Sequence, residues 1–337
     1  QPRSRGLGDV YKRQVTKSGT GALTLSGNNT FSGNITLNAG TLKLTHSQAA
    51  GVGPKGLFMQ GGGRILQLSN DAILGSDITL HASSNSGDGA GISNLDGTNE
   101  IRGQLNVTFG NPALNISSMG GTLLISGNIT LNTTNRPLIL GGTSTAANTV
   151  AGAIGQTAPG NVLSLTKQGT GKWILTGTNT YTGATAINGG TLVVNGSISN
   201  SASVIVASTA ILGGNGSITP PATINGTLQP GNGLGTLAFG GNLALAASAK
   251  VDWELGGNAE AGADQITAGQ VTAIAGATVN MIFNRSGSAV DFSNAFWSAN
   301  RTWPVLRSAA PMSGGLTLGT ISADSQGAVA SGYGKFS

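Results

Sequence analysis

Apolar residues fall two positions apart along this chain, as Leu23 and Leu25, Ile35 and Leu37, and Leu42 and Leu44, with polar or small residues between them. A period of two is the pattern of a strand that buries one face. Each run is short and ends at a break: Gly27 with Asn28, Gly33 with Asn34, and Asn38, Ala39 and Gly40. Gly and Asn tolerate a positive φ, so these breaks predict sharp corners. Three short strands separated by corners predict one coil of a parallel β-helix. A Greek-key sandwich calls instead for longer strands and hairpin signals every ~8–12 residues.

The pattern repeats. Residues 16–44, TKSGTGALTLSGNNTFSGNITLNAGTLKL, return 150 positions later at 166–194 as TKQGTGKWILTGTNTYTGATAINGGTLVV, with 14 of 29 positions identical and no gap. In the second copy the apolar frame is Trp173, Leu175, Tyr181, Ile187, Leu192 and Val194. Self-similarity at a fixed spacing marks a stacked architecture, in which no unit closes its own core and each buries a face against its neighbours. The corner positions of the first copy are Gly19, Gly21, Gly27, Asn29, Gly33, Asn38 and Gly40. Those of the second are Gly169, Gly171, Gly177, Asn179, Gly183, Asn188 and Gly190. Asparagines at a corner can bond along the stack and satisfy turn backbone groups. Coils of weaker consensus continue the rhythm at 120–131 and 195–231.

After about residue 240 the alternating runs lengthen, and residues 281–337 hold seven of the fifteen aromatics, including Phe292, Phe296, Trp297 and Trp303. A solenoid needs a terminal unit that covers its open edge. The expected organisation is therefore all-β: a parallel β-helix over 15–240, followed over 241–337 by a β-rich cap or adjoining β-domain, truncated at Ser337.

Composition supports a solenoid. Gly is 56 of 337 residues and charged residues are only 9%, which suits tight turns and leaves little for surface helices. Cysteine is absent, which excludes disulfides and thiolate metal sites. No apolar run is long enough for a transmembrane helix. The net charge of +5 invites a nucleic-acid reading, but it is concentrated at the N-terminus. Residues 4–14, SRGLGDVYKRQ, read as the in-frame translation of a transposon-derived sequencing adaptor, and 1–14 are set aside as an artefact. The remainder carries 13 basic and 11 acidic residues, too small an imbalance to bind DNA or RNA electrostatically.

The elements GTG, LTGTNTYTG and NGGTLVV at 169–171, 175–183 and 188–194 resemble the autotransporter-associated β-strand repeat of bacterial secreted proteins. So do GTG, SGNNTFSG and NAGTLKL at 19–21, 26–33 and 38–44. LQPGNGLGTLAFGGNLAL at 228–245 is similar to the proline and glycine coil of such passenger regions, and VDFSNAFWSANRTWPVL at 290–306 to repeat proteins that end in a sorting anchor. The resemblance implies a right-handed parallel β-helix on, or released from, a Gram-negative-type cell, here as an internal fragment. It implies a role in secretion and folding of the passenger, with adhesion as a further role. The implied partners are outer-membrane translocation machinery or a translocator barrel in the full-length protein, and a host, matrix or carbohydrate surface.

Candidate chemistry is sparse, and the expectation is no catalytic residue, no metal and no cofactor. Asp71 and Asp77 flank an apolar patch, and Asp88, Asp96 and Glu100 lie in a Gly- and Asn-rich stretch with Arg102 nearby. They read as loop residues, since nothing in their spacing enforces convergence; gathered in one groove, they would favour the alternative, a fragment of a β-helical polysaccharide-active enzyme. Asp252 and Glu254 are expected on the solvent face of a strand that turns Val251, Trp253 and Leu255 inward. His46 and His81 lack ligand spacing and read as surface or turn residues. GTGK at 169–172 is no phosphate loop: no helix pattern follows Lys172, and Gly19 and Gly21 stand in the same frame without a lysine after them. GDGAG at 87–91 is one copy of a calcium-type glycine repeat that needs several.

Overall fold

The computed structural model describes residues 14–59, 63–82, 91–108, 113–132, 135–158, 160–257, 259, 262–283, 290, 294–299 and 302–323. The adaptor-like segment before Gln14, Asp88 with most of the GDGAG stretch, Phe292 and the side chain of Trp297 lie outside that description. The fold is all-β, with parallel strands wound into a solenoid and one short 3-10 turn, Ala295–Ser298, among the described residues. It divides into two compact units, 1–183 and 184–337.

In the first unit the chain visits three parallel sheets in rotation. Sheet A stacks Val15–Lys17, Ile35–Leu37, Lys55–Met59, Ile78–Ala82, Leu105–Val107, Ile129–Leu131 and Ile154–Gln156. Sheet B contains Ala22–Leu25, Gly40–Leu44, Arg64–Leu68, Ile92–Asn94, Leu114–Ser118, Arg136–Gly142 and Leu163–Lys167. Sheet C starts later, with Ile73–Leu74, Thr98–Ile101, Thr122–Ile125, Asn148–Val150 and Lys172–Leu175. Successive sheet A partners Val15, Ile35, Leu57, Leu80, Leu105, Ile129 and Ile154 are 20 to 25 positions apart, one coil each.

The period-two pattern becomes columns of stacked side chains. On sheet B one inward column runs Leu23, Leu42, Leu66, Ile92, Ile116, Leu140 and Lys167. From Leu42 to Leu140 these aliphatic side chains are completely buried, each contributing about 1.5–3 kcal/mol of transfer free energy. The outward positions beside them are polar or small, as in Thr24, Lys43, Gln67, Ser93 and Ser117.

The corner between sheets C and A requires glycine. A Cβ on Gly103 would lie 1.8 Å from the Ile78 carbonyl oxygen, one on Gly127 1.9 Å from that of Gly103, one on Gly152 2.1 Å from that of Gly127, and one on Gly177 2.4 Å from that of Gly152. Five successive coils thus touch backbone to backbone through four contacts, and Gly177 of the second repeat copy makes one of them.

In the second unit, Thr191–Val194, Ile211–Gly214, Thr227–Pro230, Lys250–Leu255, Thr278–Phe283 and Thr317–Ala323 form one parallel stack. The long strand Thr236–Leu245 pairs with Ser217–Ile218 through its first half and with Ala222–Ile224 through its second. Coils lengthen here: Ile211 pairs with Thr227, but Thr278 pairs with Thr317. The aromatic-rich segment packs its Trp303 against Trp253, ring centroids 6.4 Å apart, and Phe296 against Trp303 at 6.1 Å.

One expectation is corrected. Asp252 faces outward, but Glu254 is 2% exposed. The chain returns over it: Leu255 bridges Ala263 in antiparallel fashion, the Asp264 amide donates to the Glu254 carbonyl, and the Glu254 amide donates to the Asp264 carboxylate. The return thus pairs with the edge of this strand, a neighbour that alternation within the strand does not announce.

Candidate functional site

The two repeat turns have the same backbone. Gly19 and Gly169 take φ of 81° and 71°, and Gly40 and Gly190 take 69° and 61°, values open mainly to glycine. Gly40 also has no room for a Cβ, which would lie 2.4 Å from the Gly21 carbonyl oxygen. Around Gly21 the space is open, whereas Gly171 is buried, with its amide donating to the Gly142 carbonyl. Gly183 donates to the Leu163 carbonyl. Gly27 is exposed and Gly33 half-buried, and the Asn38 amide donates to the Lys17 carbonyl. Asn188 is exposed at its corner.

Asn29 and Asn179, equivalent in the repeat, both bond along the stack. Asn29 Nδ2 donates to the Ala49 carbonyl at 2.8 Å. Asn179 is fully buried; its Oδ1 accepts from the Ile154 amide at 3.0 Å and its Nδ2 donates to the Gly177 carbonyl. The same device recurs outside the repeats, where Asn99 Oδ1 accepts from the Ala72 amide and Asn148 Oδ1 from the Leu123 amide. Each amide so bonded belongs to the neighbouring coil, where a rung would otherwise leave a buried donor unpaired.

Lysine in the TKxGTG turn was not anticipated. Lys17 is 7% exposed and Lys167 fully buried. Lys17 Nζ donates to the carbonyls of Gly19 at 2.7 Å, Ala39 at 3.1 Å and Ser18 at 3.3 Å. Lys167 Nζ donates to the carbonyls of Gln168 at 2.9 Å and Gly169 at 3.1 Å, and burial pushes its pKa down to about 8. A third buried lysine, Lys55, donates to the Phe31 carbonyl at 2.9 Å with its ammonium 4.3 Å from the centre of the Phe31 ring. Burial lowers its pKa to about 8 against the opposing pull of Asp77. The signal lay in parity: Lys17 follows Val15, and Lys167 follows Leu163 and Leu165, at inward positions.

Equivalent lysines occupy different sheets. Lys17 stands opposite Leu37 in sheet A and its turn leads to sheet B; Lys167 stands opposite Leu140 in sheet B and its turn leads to sheet C.

The acidic candidates are partly brought together and then spent on backbone. Asp96 Oδ1 accepts from Ser69 Oγ at 2.7 Å and the Asn70 amide at 2.9 Å. Asp71 Oδ1 accepts from the Thr98 amide at 2.6 Å, so the two carboxylates strap one corner of adjacent coils reciprocally. The hydroxyl of Ser69, then the Asn70 amide and the charge of Lys43, hold the Asp96 carboxyl below its ordinary value. Asn70 and Asp71 take φ of 54° and 60°, a left-handed pair that these residue types tolerate. Asp77 lies at the next corner, and Glu100 pairs with Arg102 at 2.8 Å and accepts from Ser126 Oγ. Among the described residues no three His, Cys, Asp or Glu side chains gather into a metal-binding group.

His46 Nδ1 caps a turn by accepting from the Gln48 amide. His81 is on a strand, half-buried on the outer face of sheet A and stacked on Phe58 at 4.5 Å with 11° between the rings; burial lowers its pKa. Lys172 begins a strand of sheet C and reaches no phosphate-loop geometry, since no helix follows it. Asp252 accepts from Gln229 and Asn280 on the strands to either side, a polar ladder on the outer face.

Residues 15–44 and 165–194 match the passenger-associated-transport-repeat family. The chain is also 28% identical over 227 residues, half of its length, to the adhesin BmaC autotransporter of Brucella suis biovar 1 (strain 1330), of which the match covers 6%. The chain is thus similar to autotransporter passenger regions and carries two of their repeats. No helix among the described residues is long and apolar enough to cross a membrane.

Proposed function

We propose that this chain is part of a non-catalytic, exported β-solenoid scaffold at the surface of a Gram-negative-type bacterium, whose repeats serve secretion and folding and whose outer faces serve adhesion. The observation that carries this reading is the placement of Lys17 in sheet A and Lys167 in sheet B. Two copies of a ligand-binding element would gain from sharing one face of the stack. These copies sit on different faces, and their shared lysines, with Asn29 and Asn179, are turned onto backbone groups. Such residues build corners and join coils, whichever face they lie on. The adhesin name of the relative and the family of the repeats support export and surface presentation.

The full-length protein would then require a translocator barrel or equivalent outer-membrane machinery. The test is surface display. Residues 15–323 are placed between a signal peptide and a translocator barrel in a Gram-negative host, and display is read by protease accessibility on intact cells. Replacing 16–44 or 166–194 by a Gly/Ser segment of equal length should abolish protease-resistant display. Undiminished display with both repeats replaced would overturn the reading.

A further inference from the structure

We infer that the outward face of sheet A holds a binding strip for an uncharged oligosaccharide, running across the coils along Phe58, His81, Asn106 and Thr130. The inference rests on the reading of the outer faces as adhesive, and it names the face and the chemical class of its ligand.

The parallel register sets these four side chains in one outward column: Phe58 beside His81, His81 beside Asn106 and Asn106 beside Thr130, each half-buried. Adjacent strands stand about 4.8 Å apart, so the column runs about 14 Å, the length of a few linked pyranose rings. At one end the Phe58 and His81 rings stack, with centroids 4.5 Å apart and 11° between the planes. Gly56 makes room for the pair, since a Cβ there would collide with the Phe58 ring. At the other end Gln104 Nε2 donates to Thr130 Oγ1 at 2.6 Å and reaches Asn106 Oδ1 at 3.3 Å. The Asn106 Nδ2 and the Thr130 hydroxyl hydrogen have no acceptor among the described residues, which leaves both to donate to a ligand.

Charge narrows what can lie there. The same column continues through Thr16, Thr36 and Gly155, and no outward position of the sheet A strands carries a charged side chain. Lys17 and Lys55 of these strands are buried, and burial lowers the His81 pKa, so its imidazole is neutral at neutral pH. Outward charges stand on the other sheets, Lys43 on sheet B and Glu100 and Lys172 on sheet C. A nucleic acid or an anionic lipid headgroup needs cations that this face lacks. A protein partner calls for an apolar centre, whereas here one aromatic pair stands among hydroxyls and amides. A pyranose chain matches both parts of the column: its C–H faces pack on the rings, and its hydroxyls exchange hydrogen bonds with the amide and the hydroxyl beyond them.

The test is calorimetric titration of the whole chain with cellohexaose, mannohexaose and maltohexaose, and with a heparin hexasaccharide as the charged control. At least one neutral hexasaccharide should bind at millimolar concentration or below, and the heparin fragment should not. Phe58→Leu keeps an apolar side chain in the column without the ring, and Thr130→Val removes the hydroxyl at nearly constant shape. Each should weaken the neutral sugar about tenfold, or about 1.4 kcal/mol, in a chain that circular dichroism shows to be folded. The two substitutions are independent, so either folded variant suffices to locate the sugar. Lys43→Ala, on sheet B, should leave binding unchanged.

No binding of any of the three neutral sugars would overturn the inference. Equal binding of the heparin fragment would do the same, as would a neutral sugar indifferent to both sheet A substitutions. The titration uses purified chain, so its failure leaves standing the export and folding roles that surface display tests.

Discussion

Lys17 and Lys167 are the same residue of one repeated sequence, and they project inward from different sheets, beside Leu37 in one and beside Leu140 in the other. The turn that follows each has the same left-handed glycine, Gly19 or Gly169. Its identity therefore lies in local backbone and in the buried cation. The repeat behaves as a portable corner, and the predictions below follow from how that corner and its neighbours are built.

Asn179→Ala should destabilise the folded chain by about 1–3 kcal/mol, because it leaves the Ile154 amide buried without its acceptor. Asn29→Ala should cost less, since Asn29 is only partly buried and gives up one bond, from its Nδ2 to the Ala49 carbonyl. Urea midpoints of the two variants measure the difference, and equal losses would contradict it.

Glycine substitutions should divide sharply. Gly127→Ala and Gly152→Ala force a Cβ to about 2 Å from the carbonyl oxygen of the coil beside them, so backbone must move and the loss should exceed ~3 kcal/mol. Gly21→Ala, with open space around it, should stay within about 0.5 kcal/mol. Thermal unfolding of the three proteins decides this.

Stability should rise in alkali. Burial holds Lys55 and Lys167 at a pKa of about 8, below the ordinary 10.5 that they regain on unfolding. The unfolded chain therefore binds more protons between these values, so stability grows as pH rises from 8 toward 10.5 and is lost again as pH falls through 8. The urea midpoint measured across this range should climb, and the Lys55→Met, Lys167→Met double variant should climb less. A profile that is the same in both proteins would contradict the assignment.

In acid the sign reverses in cause but not in direction. The Asp96 carboxyl lies below its ordinary value of 3.8 because Ser69 and Asn70 donate to it, so its contribution is present above that value and lost as pH falls through the folded pKa. Asp96→Asn should remove this part of the acid limb and leave the midpoint at pH 9 lower by a constant amount.

Much of this was legible in the chain. The period-two pairs became strands with one buried face, and Gly19, Gly40, Gly169 and Gly190 mark left-handed corners. Lys17 and Lys167 were hidden because lysine reads as solvent-exposed; only their inward parity after Val15 and Leu165 revealed them. The face each copy occupies was also hidden, since it depends on how many residues each preceding corner consumes. Glu254 misled for a third reason: it is buried where the chain returns through Ala263 and Asp264 to pair with this end of the strand, and alternation within a strand carries no information about what later packs beside it.

The most direct test of the repeat as a folding module independent of face is transplantation. The sequence of 166–194 is written over positions 16–44, an exchange of equal length that moves a corner shaped on sheets B and C to sheets A and B. The account predicts protease-resistant surface display within about twofold of the original, with a urea midpoint equal or higher because Leu23→Trp and Lys43→Val add apolar surface. A chain that folds with the original midpoint yet fails to reach the cell surface would contradict it.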